Sequence, residues 1–344
     1  MCKKILVTLG PSSLNERVVT ECSNIGIYTF RINLSHTPKN QISGIIDKIR
    51  QWTDTPICID SEGAQIRNET MSFESINYKS GDEIRVHFNP VIGDEKNISF
   101  SPRGIANQMK EGDEINIDFN RVKIRIEEIL DTSAIATVIT GGSVGSNKAS
   151  DINRGVFMPP ITDKDKEAIK IGLDKKIQHF ALSFANKASD VSLMRELCGL
   201  EASIISKIES ISALKNLEEI LEVTDEILID RGDLSRQVQI EKIPFLQRLI
   251  IKKAHTSKVP VFVATNLLES MVATKDPTRA EVNDVVSSLL MGADGLVLAA
   301  ETAIGKYPIE AVEMIKRLIN ETERWSDKTS ISDVLAENST WSNL

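Results

Sequence analysis

The sequence predicts an α/β fold: a (β/α)8 TIM barrel interrupted by a small inserted β-barrel domain. Three observations carry that expectation. Short β-branched apolar runs alternate with stretches of helical periodicity, the pattern of βαβ units in a parallel sheet. Between the third and fourth runs the rhythm breaks, for roughly ninety residues, into hairpin-like alternation. The chain has 344 residues, which suits a barrel of about 250 residues carrying one insertion.

The eight runs are residues 5–7, 29–33, 57–60, 180–184, 203–208, 226–230, 260–264 and 295–299. Helical periodicity follows several of them, over 163–173, 212–223, 243–255 and 308–323. The expected partition is a barrel from 1–67 and 158–325, an insert over 68–157, and a Ser- and Asn-rich tail over 326–344. Within the insert, Gly81-Asp82-Glu83-Ile84 and Gly112-Asp113-Glu114-Ile115 repeat one turn leading into an alternating strand, which points to a small β barrel.

With 41% hydrophobic and 26% charged residues the composition is that of a folded globular protein, not a disordered one. A net charge of -8 argues against a nucleic-acid surface, so any phosphate site must be local. Four scattered cysteines form neither a metal motif nor a disulfide framework. Met1 leads almost directly into a strand-like run, with no room for a secretory leader, and no apolar run has the roughly 20 residues of a membrane span. The cytoplasm is the expected compartment, without membrane attachment.

In such a barrel the chemistry gathers at the C-terminal strand ends. The second run ends Arg31-Ile32-Asn33-Leu34-Ser35-His36, where alternation places Arg31, Asn33 and Ser35 on one side; the alternative is that Asn33 and Ser35 cap a following helix. The third ends Asp60-Ser61-Glu62-Gly63-Ala64-Gln65-Ile66-Arg67, offering hard oxygen ligands and an arginine suited to phosphate. In the fifth, Lys207 and Glu209 share one side, either as an ion pair or as parts of a site. The sixth ends Asp230-Arg231-Gly232-Asp233, where Asp233 is placed to join Glu209 on one divalent cation and Gly232 admits close backbone approach. The seventh run ends at Thr265 and the eighth leads into Glu301-Thr302.

Taken together, Thr8-Leu9-Gly10-Pro11-Ser12-Ser13, Arg31-Ile32-Asn33-Leu34-Ser35-His36, Ser206-Lys207-Ile208-Glu209-Ser210, Arg231-Gly232-Asp233-Leu234 and Ala264-Thr265-Asn266-Leu267-Leu268-Glu269-Ser270-Met271 resemble the ordered motifs of the pyruvate kinase family. The longest resemblance is Pro277-Thr278-Arg279-Ala280-Glu281-Val282-Asn283-Asp284-Val285, continuing to Glu301-Thr302 and Tyr307-Pro308. The resemblance implies an insert acting as a lid, and phosphoryl transfer from phosphoenolpyruvate to ADP through enolpyruvate held at a metal. It implies that Arg31 clamps the phosphoryl group, Lys207 offsets phosphoryl and enolate charge, and Glu209 and Asp233 bind Mg²⁺ or Mn²⁺. It further implies that the Gly232 N–H meets the substrate carboxylate, and that Thr265 is linked to enolate protonation. Pro11, Asn33, His36, Arg67 and Lys148 match nucleotide-side positions, and Asn33, Ser35, Asp60 and Ser61 match a K⁺ site. A homo-oligomer built through the barrel is also implied.

Several positions depart from the family pattern. Gln65 stands where a carboxylate linked to K⁺ dependence is usual, and Glu62 puts an anion where a cation is common, so K⁺ dependence stays open. The lid segment loses the glycine after Lys148, Asp118-Phe119-Asn120 replaces an Asp-Asp-Gly turn, Asn266 replaces a Gln, and Ala299-Ala300 replaces Ser-Gly. The family's usual C-terminal domain has no counterpart in the sequence, so effector control through such a domain is not expected. Two other readings share the same residues: a lyase or transferase acting on a pyruvate enolate without nucleotide, and a non-catalytic phosphoenolpyruvate-binding regulator.

Overall fold

The computed structural model describes residues 3–118 and 121–335. Eight parallel strands close into a barrel: β1 (Lys4–Thr8), β2 (Thr29–Asn33), β3 (Ile57–Asp60), β4 (His179–Leu182), β5 (Ser203–Ile208), β6 (Glu226–Asp230), β7 (Val261–Ala264) and β8 (Gly295–Leu298). Each strand pairs with its predecessor, and β8 pairs with β1. One set of alternating residues (Leu6, Cys58, Ala181, Ile205, Leu228, Phe262, Val297) fills the interior, while the other (Val7, Phe30, Ile59, Phe180, Ile204, Ile229) packs outward under the helices. Burial on both faces explains why these strands read as continuous apolar runs.

Helix Asp163–Asp174 opens on a capping box between Thr162 and Asp165. The Asp165 carboxylate also accepts the backbone N–H groups of Glu62 and Gly63, at 2.7 and 3.2 Å, so the same cap fixes the loop leaving β3. The single helix expected over 212–223 is instead two short ones, Ile211–Lys215 and Leu217–Leu221. The break falls at Asn216, whose side-chain amide donates to the Asn186 carbonyl at 2.8 Å and leaves the helical backbone to do so.

The interrupting segment forms a second, seven-stranded closed barrel with its own core, including Ile84, Val86, Ile115, Ile117, Ile124 and Ala136. The two Gly-Asp-Glu-Ile turns share one geometry. Gly81 and Gly112 have φ of 90 and 83°, and the neighbouring Asp82 and Asp113 carboxylates accept the N–H of Lys79 and Lys110. Strand Ile66–Asn68 straddles the expected 67/68 boundary and pairs antiparallel with Ala149–Ile152, so the chain enters and leaves this barrel side by side. Phe119 and Asn120 of the altered lid turn, and residues 336–344 of the tail beyond helix Ile331–Leu335, lie outside the described residues. No helix among the described residues is long and apolar enough to cross a membrane.

Candidate active site

Toward the C-terminal end of the barrel the inward positions change from apolar to ionisable. Above Cys58 comes Asp60, above Ala181 Ser183, above Ile205 Lys207 and then Glu209, and above Leu228 Asp230. The strand period thus delivers the charged residues to one layer beneath the rim, where they compensate one another. Arg31 donates through Nε (2.7 Å) and Nη2 to Asp60 Oδ2, and through Nη1 to Thr8 Oγ1 at 2.9 Å. Lys207 Nζ lies 3.0 Å from Glu209 Oε2, 3.6 Å from Asp230 Oδ2 and 3.8 Å from Asp60 Oδ2, and donates to Ser183 Oγ at 3.1 Å.

Burial alone would favour a neutral Lys207, yet Asp60, Glu209 and Asp230 outweigh it and hold the ammonium charged well above its ordinary range. For Glu209 burial wins. With Asp233, Asp230 and Asp60 adding to it and Lys207 opposing, the carboxyl is raised to about 8. Burial also acts to raise Asp230, but Lys207, the Thr265 hydroxyl and Arg31 bring it below the usual carboxylate value.

Glu209, Asp230 and Asp233 each place a carboxylate oxygen within 4.8 Å of the others. Glu209 Oε1 accepts the Phe184 N–H at 2.6 Å, whereas Oε2 is buried without a hydrogen-bond donor in good geometry, although Lys207 Nζ is close. Three converging carboxylates, one with an unsatisfied oxygen, fit a hard divalent cation. Sequence reasoning assigned Glu209 and Asp233 to this set and missed Asp230. The parity with Leu228 was the available signal.

Asp233 Oδ1 accepts from Gln65 Nε2 (3.3 Å) and Arg236 Nη1 (3.1 Å). Gly232 sits in the first turn of helix Arg231–Gln237, where an N–H has no intrahelical acceptor. A side chain there would meet Thr265 Cγ2 at 2.7 Å. Gly232→Ala is therefore expected to lower stability by about 1–3 kcal/mol, measured by urea unfolding. Thr265 has φ 76°, a strained setting for a β-branched residue, and its hydroxyl donates to Asp230 Oδ1 at 2.6 Å. Arg231 braces that turn by donating to the Ala264 and Thr265 carbonyls and to Asp284.

A cavity of about 420 Å³ lies above this layer, between the barrel rim and the inserted domain, lined by residues including Arg31, Asn33, Ser35, His36, Arg67, Lys148, Lys207, Asp230 and Asp233. Its upper wall mixes signs, with Arg67 and Lys148 beside Glu62 and Asp118. The His36 pKa is lowered, first by burial and then by Arg67, Arg31, Lys148 and Lys164. A larger cavity of about 660 Å³ around Trp325 and Leu290 lies away from the strand ends and from the converging ionisable groups, so the chemistry belongs to the smaller one.

The remaining expected residues divide. Asn33 lines the cavity, but its side chain also accepts the Ser35 N–H at 3.0 Å, so it caps the short turn Leu34–His36 as the alternative reading had it. Ser35 therefore leaves the strand alternation. Asp60 and Ser61 lie buried below, with Ser61 Oγ accepting the Ser183 N–H at 2.9 Å. Pro11 is exposed on the loop after β1 and does not line the cavity. Glu62 is neutralised by Lys164 at 2.7 Å. The roles of Ser183 and of the Phe184 N–H had no signal in residue type.

Residues 2–312 match the family model "Pyruvate kinase, barrel domain". The chain is 34% identical to the pyruvate kinase of Thermotoga maritima over 93% of this chain and 71% of that protein. It is 35% identical to that of Agrobacterium vitis over 93% and 68%. The crystal structure of a pyruvate kinase from Cryptosporidium parvum superposes with a TM-score of 0.81 at 28% identity, covering 94% of this chain and 70% of that one. Motifs, barrel topology and relatives agree, and the chain belongs to the pyruvate kinase family.

Proposed function

We propose that this chain transfers the phosphoryl group of phosphoenolpyruvate to ADP in the cavity between barrel and lid. The observation that carries this reading is one cavity lined both by Asp230, Asp233 and Lys207 of the ionisable layer and by Arg67 and Lys148, two cations suited to phosphate. A divalent cation, Mg²⁺ or Mn²⁺, held by Glu209, Asp233 and Asp230 would supply charge that offsets carboxylate and phosphoryl oxygens.

The protein's own groups do the rest by position. Arg31, held by Asp60 and Thr8, and Lys207, held among three carboxylates, present fixed cations to the transferring group. The Gly232 N–H, at a helix N-terminus, meets the substrate carboxylate. As an ADP phosphate oxygen bonds to phosphorus, the bond to the enol oxygen breaks and enolpyruvate leaves. Its methylene carbon then takes a proton on the Thr265 side, where the hydroxyl is already linked to Asp230. His36, Arg67 and Lys148 take the nucleotide phosphates, with Asn33 lining the same cavity.

Asn33, Ser35, Asp60 and Ser61 are the K⁺ ligands this reading would use, but Arg31 already holds Asp60, Ser61 accepts the Ser183 N–H, and Gln65 brings no carboxylate, so K⁺ dependence is decided by the assay below. Residues 1–67 and 158–325 act as the catalytic barrel, and 68–157 as the lid that excludes water. The three described cysteines are buried and free, in keeping with the cytoplasm. Phe245 and Leu249, exposed on helix Ile243–Thr256, offer an apolar surface for assembly through the barrel.

Purified protein given phosphoenolpyruvate, ADP and Mg²⁺, with and without K⁺, is expected to release pyruvate and ATP in equal amounts. Pyruvate formed without ATP, or another oxo acid turned over while ADP is ignored, overturns the kinase reading. A nucleotide-free lyase would leave Arg67 and Lys148 without a purpose.

A further inference from the structure

One arginine outside the expected set spans the two parts of the cavity. Arg236 lies one turn after Asp233 on helix Arg231–Gln237, and its side chain is only 5% exposed. Its Nη1 donates to Asp233 Oδ1 at 3.1 Å, and its Nη2 pairs with Asp151 Oδ2 on the lid strand Ala149–Ile152. Gln65 Nε2 also reaches Asp233 Oδ1, while no described residue donates to Asp233 Oδ2. One oxygen of the carboxylate is thus fixed by two donors, and the other is left for the cluster with Glu209 and Asp230. On the lid side, burial raises the Asp151 pKa and Arg236 opposes that rise.

We propose that Arg236 is a positioning residue that couples lid closure to the metal carboxylates: it fastens the small barrel through Asp151 and orients Asp233 with the same guanidinium. The planar fork suits this double role, because two donors at fixed spacing hold two carboxylates at a set separation, which a lysine ammonium does not. The linkage is reciprocal. A cation that binds the oriented Asp233 favours the closed lid, and a closed lid tightens the cation. A second lid contact, from the Asn147 side-chain amide to the Ser35 carbonyl at 3.0 Å, lies apart from the cluster.

This inference rests on the metal site proposed above, and the test separates the two. Mn²⁺ alone is titrated into the full chain, followed by calorimetry and by the paramagnetic signal of free Mn²⁺, and amide hydrogen exchange over residues 142–152 is read with and without the ion. Wild-type protein is expected to bind Mn²⁺ and to slow exchange in that segment on binding. Arg236→Met is expected to weaken Mn²⁺ about tenfold, as the loss of a partner behind a metal ligand commonly does, and to abolish the change in lid exchange. Arg236→Lys is expected to recover part of the affinity but not the coupling.

Asp151→Asn touches no cluster carboxylate, yet is expected to weaken Mn²⁺ several-fold through the opened lid. If wild-type protein does not bind Mn²⁺, the metal-site reading fails. If it binds and Arg236→Met binds equally well, or Asp151→Asn leaves both affinity and exchange unchanged, the coupling is overturned while the metal site stands.

Discussion

Lys207→Met is expected to lower kcat for pyruvate formation by about a thousandfold, the scale associated with removing a preorganised charge from a developing anion. Lys207 has no water to replace it, because its side chain is 6% exposed and lies within 4 Å of three carboxylates. Methionine matches the stem and removes only the ammonium, so the loss isolates charge from packing. The same substitution leaves Asp60, Glu209 and Asp230 facing one another, and stability is expected to fall by roughly 3 kcal/mol at pH 8. The fall should be smaller at pH 5, well below the raised Glu209 pKa, where that carboxyl is already neutral. Stopped-flow turnover and urea unfolding at the two pH values check both statements. A variant within tenfold of wild type would remove Lys207 from the chemistry.

Glu209→Gln separates the metal site from the stability of the empty fold. The Glu209 carboxyl is raised to about 8 in the metal-free fold. It therefore contributes stability that is complete below the ordinary carboxylate pKa and is lost as pH rises through about 8. Glutamine keeps an oxygen for the Phe184 N–H and carries no charge, so the slope should vanish. At pH 8.5 the metal-free variant is expected to be more stable than wild type by on the order of 1–3 kcal/mol, while Mg²⁺ affinity collapses. Wild-type Mg²⁺ binding should release a proton below pH 8 and tighten with rising pH until the carboxyl is ionised. Calorimetry in buffers of different ionisation enthalpy measures that proton, and its absence at pH 7 would contradict the raised carboxyl.

The fold was legible because eight strands buried on both faces must be written as continuous apolar runs, and the insert announced itself by changing period. The site was legible where a charged residue shared strand parity with a core residue, as Lys207 does with Ile205. The same rule applied to Leu228 would have found Asp230, yet attention went to Asp233 in the adjoining motif. Ser35 reaches the cavity of Arg31 and Asn33 through a tight turn, not through strand alternation, because the strand ends at Asn33, whose side chain satisfies the Ser35 N–H. The Phe184 N–H on Glu209 and the pairing of Arg236 with Asp151, 85 positions apart, are tertiary facts with no local trace.

The paired strands through which the chain enters and leaves the small barrel have an evolutionary consequence. Arg67 and Ala149 are direct partners in that ladder, so everything between them begins and ends at one place. A segment with adjacent ends behaves as a cassette: it can be lengthened, exchanged or removed without pulling on the barrel's closure. Change can therefore accumulate in the cassette while the charged layer below is inherited unchanged.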